Sequence, residues 1–308
     1  MPRAAMVGAG LIGRSWAIVF ASGGWDVALY DAAPGVADKA VALVADELRQ
    51  LAAQGLVRDP AASAARVHAA ADLAGALAGV AFVQESVAET VEAKRAVFAE
   101  IDRLAPAHVP IASSSSFIVS SLFAENLGGR HRCLVAHPVN PPHLVPVVEL
   151  VGAPWTAPET IEIAKAVYAE VGQVPIVVKR EIEGFILNRL QAVLLSEAFR
   201  LVEDGYVTPQ DLDKTIKDGL GLRWSFMGPF ETIELNAPGG IPDYCHRYGD
   251  SLARLSEANP DIYQKPKVDR ILGEWGKALT SSEIAAKMAW RDRRLAALKG
   301  HKRGQAES

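Results

Sequence analysis

Between Cys133 and Val151 the chain reads Cys-Leu-Val-Ala-His137-Pro-Val-Asn140-Pro-Pro-His143-Leu-Val-Pro-Val-Val-Glu149-Leu-Val. Two apolar, β-branched runs predict strands, and a turn-rich excursion around Asn-Pro-Pro joins them. The first run ends on a histidine. The second carries one carboxylate, Glu149, which is costly on a buried strand unless it is paired. His137, twelve residues earlier across the turn, is the nearest candidate. A carboxylate that holds an imidazole fixes its tautomer and raises its basicity, which makes a general base. A structural His–Glu pair that closes a loop is the other reading of the same residues.

Elements at the N-terminus supply a reaction for such a base. Ala4–Val7 is a short apolar strand that runs into Gly8-Ala-Gly10-Leu11-Ile12-Gly13, followed by an amphipathic helix from Leu11 to Ser22 and a second strand from Trp25 to Tyr30. In this pattern Gly8 allows a tight turn, Gly10 lets the backbone approach a pyrophosphate, and Gly13 permits close helix–strand packing. The helix start offers free N–H groups, those of Leu11 and Ile12 among them, and a favourable dipole to phosphates. Asp31 stands 18 residues after Gly13, at the end of the second strand, where an acid binds ribose hydroxyls. Ala32 and Ala33 follow it, with no arginine to take a 2′-phosphate, so the expected cofactor is NAD and not NADP.

Composition bounds the remainder. The 308 residues suit two domains, and a formal net charge of −4 gives no reason to expect nucleic acid or an anionic membrane as partner. Cys133 and Cys245 lie 112 residues apart, in no metal or redox spacing, as expected of reduced thiols in a cytoplasmic protein without a metal. The N-terminus reads as the first strand of the fold, not as a signal peptide, and no apolar run reaches membrane-spanning length. Gly300–Ser308 is polar and reads as a frayed end.

Strand and helix signals alternate through the first 180 or so residues. Helices are expected over Pro34–Gln54, Asp72–Leu77, Glu89–Leu104 and Pro158–Val171, with strands over Ala81–Gln84, Val109–Ala112, Cys133–Ala136, Val145–Val151 and Val174–Val178. Such alternation implies a mainly parallel sheet with helices on both faces. From Gly184 only helix signals remain, including a long amphipathic stretch over Phe185–Asp204 and a start at Thr208-Pro209. The expected fold is therefore an α/β, Rossmann-type doubly wound sheet over 1–183 and an all-α domain over 184–308. Ligands bind where strand carboxyl ends meet a crevice.

Three further features point there. Ser113–Ser116 follows a strand directly, and a helix cap for Phe117–Glu125 accounts for one or two of the four hydroxyls. Asn188, in Gly184-Phe-Ile-Leu-Asn188-Arg189-Leu, is a poor helix-interior residue at the start of the long helix. Glu89 and Lys94 flank the helix after strand Ala81–Gln84, where side chains reach the nicotinamide half of a cofactor; alone, each also reads as a solvated charge.

Together, Gly8-Ala-Gly-Leu-Ile-Gly13, the serine cluster, His137-Pro-Val-Asn140-Pro, Glu149 and Gly184-Phe-Ile-Leu-Asn188-Arg189 resemble the L-3-hydroxyacyl-CoA dehydrogenase superfamily over nearly the whole chain. The resemblance implies His137 and Glu149 as the base pair, Asn188 and Ser115 as holders of the substrate oxygen (with Ser114 and Ser116 as alternatives to Ser115), and Glu89 and Lys94 as cofactor contacts. It also implies a homodimer built on the helical domain. Arg14-Ser-Trp-Ala17, Phe20–Gly24, Ser196-Glu-Ala198 and Gly228-Pro-Phe-Glu-Thr232 are similar to the lambda-crystallin branch, whose members act as L-gulonate 3-dehydrogenases. Arg223-Trp224-Ser225-Phe226 departs from that branch and is similar to carnitine dehydrogenases; Trp224 and Phe226 suit either an aromatic cage or a packed core. Asn140 and Arg223 are candidate substrate contacts, with Arg223, in a glycine-flanked turn, as partner for a carboxylate. Lys39, Arg49 and Arg58 form a thin grip for CoA phosphates. The expected activity is NAD-dependent oxidation of a small L-3-hydroxy acid, L-gulonate first. Alternatives are carnitine, a 3-hydroxyacyl-CoA and, outside catalysis, a crystallin-like structural role.

Overall fold

The computed structural model describes residues 1–225, 227–238, 240–255 and 281–303. Along the chain lie β1 (Arg3–Val7), α1 (Leu11–Ser22), β2 (Asp26–Tyr30), α2 (Val36–Ala53), α3 (Pro60–Ala64), β3 (Val67–Ala69), α4 (Leu73–Leu77), β4 (Phe82–Glu85), α5 (Val91–Leu104), β5 (Ile111–Ser113), α6 (Ser121–Ala124), β6 (Cys133–Pro138), β7 (Val147–Gly152), α7 (Pro158–Glu170) and β8 (Val174–Val178). Then follow α8 (Leu187–Glu203), α9 (Pro209–Lys214), α10 (Gly221–Trp224), α11 (Pro229–Leu235), α12 (Gly240–Leu255) and α13 (Ser281–Arg303). Contacts divide the described residues into two compact units: residues 1–186 with 285–303, and the described part of 187–284.

The first unit is an eight-stranded sheet in the order β3-β2-β1-β4-β5-β6-β7-β8. All pairs are parallel except β6–β7. The order reverses between β1 and β4, so their carboxyl ends frame the crevice in which such sheets bind ligands. Apolar side chains of α1 explain one face of the sheet. Trp16 and Phe20 are fully buried; Trp16 meets Tyr168 of α7 with ring centroids 5.3 Å apart, and Phe20 meets Phe82 of β4 at 5.8 Å. Each such side chain contributes roughly 1.5–3 kcal/mol through burial.

Two elements escaped the sequence reading, α3 and the short edge strand β3, which pairs with β2 from Val67↔Val27 to Ala69↔Leu29. Three residues with one buried side chain carry too little alternation to read as a strand. The antiparallel β6–β7 pair sets His137 directly opposite Glu149. At the far edge β8 leaves Val174, Ile176 and Val177 exposed.

The end of the chain departs from the expected division. Residues 285–303 of α13 pack with the first unit: Ala296 is buried in its core, Lys299 Nζ donates to the His143 carbonyl at 2.8 Å, and an Arg303 guanidinium N–H donates to the Leu56 carbonyl at 3.0 Å. Helical periodicity marks which face is apolar and says nothing of which unit covers it.

In the second unit, Thr208 caps α9 by accepting the Asp211 N–H, with Pro209 in the first turn, as its sequence requires. The run Gly219-Leu-Gly-Leu-Arg-Trp-Ser is not the turn that its glycines suggested. A π-helical segment, Thr215–Leu220, leads straight into α10, and Arg223 stands exposed on helix. A glycine costs a helix only about 1 kcal/mol, which the continuous ladder absorbs. Trp224, 40% exposed, is not packed in a core, and Phe226 lies outside the described residues.

Candidate active site

The crevice begins with the glycine turn after β1. Gly8 has φ +101°, and a Cβ there would lie 2.5 Å from the Ser86 carbonyl oxygen. A Cβ on Gly13 would meet the Gly8 carbonyl oxygen at 1.7 Å, so α1 approaches the turn as only glycine permits. A Cβ on Gly10 would meet nothing within 4 Å. That glycine opens onto free space at the helix start, where the N–H groups of α1's first turn have no intrahelical acceptors. Asp31, half-buried at the end of β2, accepts the Ala9 N–H and the Ala33 N–H at 2.9 Å each. Its carboxylate thus ties the turn to the loop after β2 and keeps lone pairs for a ribose diol. Leu11 and Ile12 stand beside Gly10 on the same turn. The glycines, the open space before Gly10 and the acid fit a dinucleotide, whose pyrophosphate this turn would hold.

The second part is the pair on β6 and β7. His137 Nδ1 lies 2.8 Å from Glu149 Oε2, and both side chains are buried. The other carboxylate oxygen, Oε1, accepts the Ile186 N–H at 2.9 Å. An ionised carboxylate only accepts, so Nδ1 carries the proton in this pair and Nε2 is left as the acceptor. Phe185 packs its ring against the imidazole at 5.1 Å between centroids. Gly184 and Phe185 both adopt left-handed backbone, with φ 74° and 51°. For Phe185 this is uncommon and costs roughly 1–3 kcal/mol. It turns the ring inward and the Ile186 N–H onto Glu149. The sequence reading stopped at Gly184 and Asn188 and missed both contacts; the glycine before a bulky residue was the available signal.

The third part lies at the ends of β4 and β5. Lys94 is 1% exposed, and its ammonium bonds both oxygens of Glu85 and the Ser113 hydroxyl, all at 3.2 Å, with Glu89 at 3.3 Å. Burial pushes the Glu85 carboxyl up, against the opposing pull of Lys94, Ser113 and the Val87 N–H. Glu89 is burdened by partial burial, yet the Ser115 hydroxyl, Lys94 and the Phe117 and Ser116 N–H groups bring it below the usual carboxylate range. Lys94 was read as a direct cofactor contact. Here its buried ammonium is held between Glu85 and Glu89, a pairing that a charged residue needs in order to be buried at all.

The serines divide by role. Ser113 donates to Glu85 at 2.6 Å. Ser114 accepts from Trp16 and Gln84 and is bonded to Ser86. Ser115, fully buried, donates to Glu89 at 2.6 Å and accepts the Ile118 N–H at 2.8 Å. With its proton and a lone pair committed and no exposed surface, Ser115 organises the loop and is not placed to touch a substrate. Ser116 is partly exposed. Asn140 is exposed on the loop leaving His137, whereas Asn188, the second residue of α8, and Arg223 belong to the second unit. Burial pushes the Cys133 thiol up to about 12, so it is no nucleophile.

The chain matches known proteins over nearly its whole length. The family model of the 3-hydroxyacyl-CoA dehydrogenase NAD-binding domain matches residues 3–182, and that of the C-terminal domain matches residues 184–282. A lambda-crystallin homolog of Bos taurus is 43% identical over 96% of this chain and 95% of its own. An L-carnitine dehydrogenase of Streptomyces griseus is 37% identical over 94% of this chain and 87% of its own. The solved structure of 5-formyl-3-hydroxy-2-methylpyridine 4-carboxylic acid 5-dehydrogenase, an NAD+-dependent dismutase, superposes with a TM-score of 0.85 at 28% identity, covering 99% of this chain and all of that one. The cofactor that the turn accommodates is thus NAD, the His137–Glu149 pair sits in a dehydrogenase, and the chain belongs to the 3-hydroxyacyl-CoA dehydrogenase family.

Proposed function

We propose that this dehydrogenase oxidises the 3-hydroxyl of a small free L-3-hydroxy acid, with L-gulonate converted to 3-dehydro-L-gulonate. The observation that carries the reading is the 2.8 Å bond that His137 Nδ1 donates to Glu149, which leaves Nε2 as the base. NAD, when bound, supplies the hydride acceptor. His137 takes the proton of the substrate hydroxyl at Nε2, and Glu149 stabilises the imidazolium that results. Such help contributes on the order of 10²–10⁴-fold. Asn188 and Ser116 hold the oxygen that becomes the carbonyl, a role that the family resemblance gives to Asn188 and to Ser115, with Ser114 and Ser116 as alternatives. Asp31 and Gly8, Gly10 and Gly13 seat the cofactor, Glu89 lies toward its nicotinamide end, and Arg223 is the candidate cation for the substrate carboxylate.

The preference for a free acid rests on the branch resemblance and on the weak basic surface for CoA, where Arg49 is already paired with Asp46. L-carnitine is the second reading, supported by the carnitine dehydrogenase relative and the exposed Trp224. The working unit is a homodimer: α8 exposes Leu190, Val193, Leu194 and Leu195, an apolar stripe that asks for a partner. The deciding experiment is NAD reduction with L-gulonate, L-carnitine, L-3-hydroxybutyrate and 3-hydroxybutyryl-CoA side by side. A higher kcat/KM for carnitine or the thioester than for L-gulonate overturns the assignment. No NADH formation from any of them returns the structural role.

A further inference from the structure

A cavity of about 330 Å³ lies within the first unit, beside the glycine turn. It is lined by aliphatic side chains, Ile18 and Val44 among them, and by Arg14, Glu47, Asn140 and His143. Leu11 and Ile12, from the phosphate-binding turn, form one wall, and Asn140, three residues beyond His137 on the same excursion, forms another. The cavity thus shares walls with the cofactor turn and with the loop that carries the base.

His143 is the unusual member. Its side chain is 8% exposed, and neither ring nitrogen has a hydrogen-bond partner. Nε2 stands 3.6 Å from Glu47 Oε1, within reach of charge attraction but beyond a hydrogen bond. Leaving a buried polar group unsatisfied costs roughly 1–3 kcal/mol, so such a group calls for an explanation. His143 and Arg14 also hold the Glu47 carboxyl below its ordinary range, His143 most strongly and against partial burial, so Glu47 is an ionised acceptor.

We infer that this cavity is a polyol subsite, which takes the hydroxylated end of the substrate. Arg14 donates, Glu47 accepts, and His143, which lines the same cavity, brings two ring nitrogens without a hydrogen-bond partner. A hydroxyl is both donor and acceptor, so a short run of hydroxyls satisfies this mixed set. A second carboxylate would face Glu47, and an unsubstituted acyl chain would leave the buried His143 without a partner. The inference rests on the proposed oxidation of a free 3-hydroxy acid and adds to it what selects the acid: hydroxyls beyond the reacting carbon.

The test compares wild type, Glu47→Gln and His143→Gln on L-gulonate and on L-3-hydroxybutyrate, which lacks the hydroxylated tail. The ratio of kcat/KM for the two acids should fall about 10–100-fold in each variant, the loss expected for a hydrogen bond to a charged or buried partner. The fall should lie mainly in KM. An unchanged ratio overturns the subsite. Calorimetric binding of L-gulonate to the NADH complex provides a readout independent of turnover. Wild type that binds L-gulonate more tightly than Glu47→Gln yet does not oxidise it retains the subsite and refutes the proposed reaction. Equal binding by both refutes the subsite, whatever the reaction. Thermal denaturation of each variant confirms that it folds.

Discussion

Replacing Glu149 with Gln tests the base most sharply, because both of its carboxylate oxygens are engaged. Oε2 faces His137 Nδ1 at 2.8 Å and Oε1 faces the Ile186 N–H at 2.9 Å. An amide has one oxygen for these two donors. If its oxygen turns to Ile186, its NH2 faces Nδ1, and the imidazole must carry its proton on Nε2, the atom that has to accept. If its oxygen turns to His137, two N–H groups face each other at the Ile186 side, at a cost of about 1–3 kcal/mol in a buried setting. The first arrangement removes the base in the ground state; the second shifts the loop that carries Phe185 against the ring. Either way kcat should fall on the order of 10²–10⁴-fold, the full range of general-base help, while NAD affinity, which depends on the glycine turn, changes little. NADH formation under saturating cofactor gives kcat, fluorescence titration gives cofactor affinity, and a thermal melt checks that the variant is folded. A folded Glu149→Gln enzyme that keeps more than about a tenth of wild-type kcat would refute the tautomer argument.

Further outcomes follow from the same contacts. Asp31→Ala should weaken NAD far more than NADP, because its carboxylate would repel a 2′-phosphate; kcat/KM with each cofactor measures this, and a wild type that uses NADP equally well overturns the placement. Lys94→Met leaves Glu85 buried without its cation and should cost about 3–5 kcal/mol at neutral pH. Since the Glu85 carboxyl is already raised in the folded state and would rise further, the deficit should be smallest below the ordinary carboxylate range and grow as pH rises through the folded value; denaturant melts across pH test the sign. Ser116→Ala should lower kcat about 10²-fold with an unchanged melting temperature, whereas Ser115→Ala should lower stability by about 1–3 kcal/mol; the reverse pattern returns the substrate contact to Ser115. Val193→Asp, at a position 72% exposed on α8, should yield a monomer by light scattering, and an intact dimer moves the interface elsewhere.

The glycine turn, α1 and Asp31 were legible because their chemistry is local: spacing along 30 or so residues decides which backbone approaches a phosphate and which acid follows it. His137 and Glu149 were legible for a related reason. A lone carboxylate in an apolar strand needs a partner, and a strand–turn–strand brings the two face to face in register. What lay beyond was set by distance in sequence. The Ile186 N–H and the Phe185 ring reach the pair from 37 and 48 positions away through a left-handed backbone that no periodicity announces. Lys94 was read by resemblance as a cofactor contact and Glu85 was not singled out at all, because only the sheet order buries the two together beside Ser113 of β5. Ser113–Ser116 read as hydroxyls at a strand end, and only the resemblance singled out Ser115, because a strand-end hydroxyl looks the same whether it faces a cavity or Glu89. The return of α13 to the first unit follows from which apolar surface was left to cover. Local sequence specifies the elements and their special turns. Only packing decides which charges are buried, which hydroxyls remain open, and which histidine nitrogen is left to accept a proton.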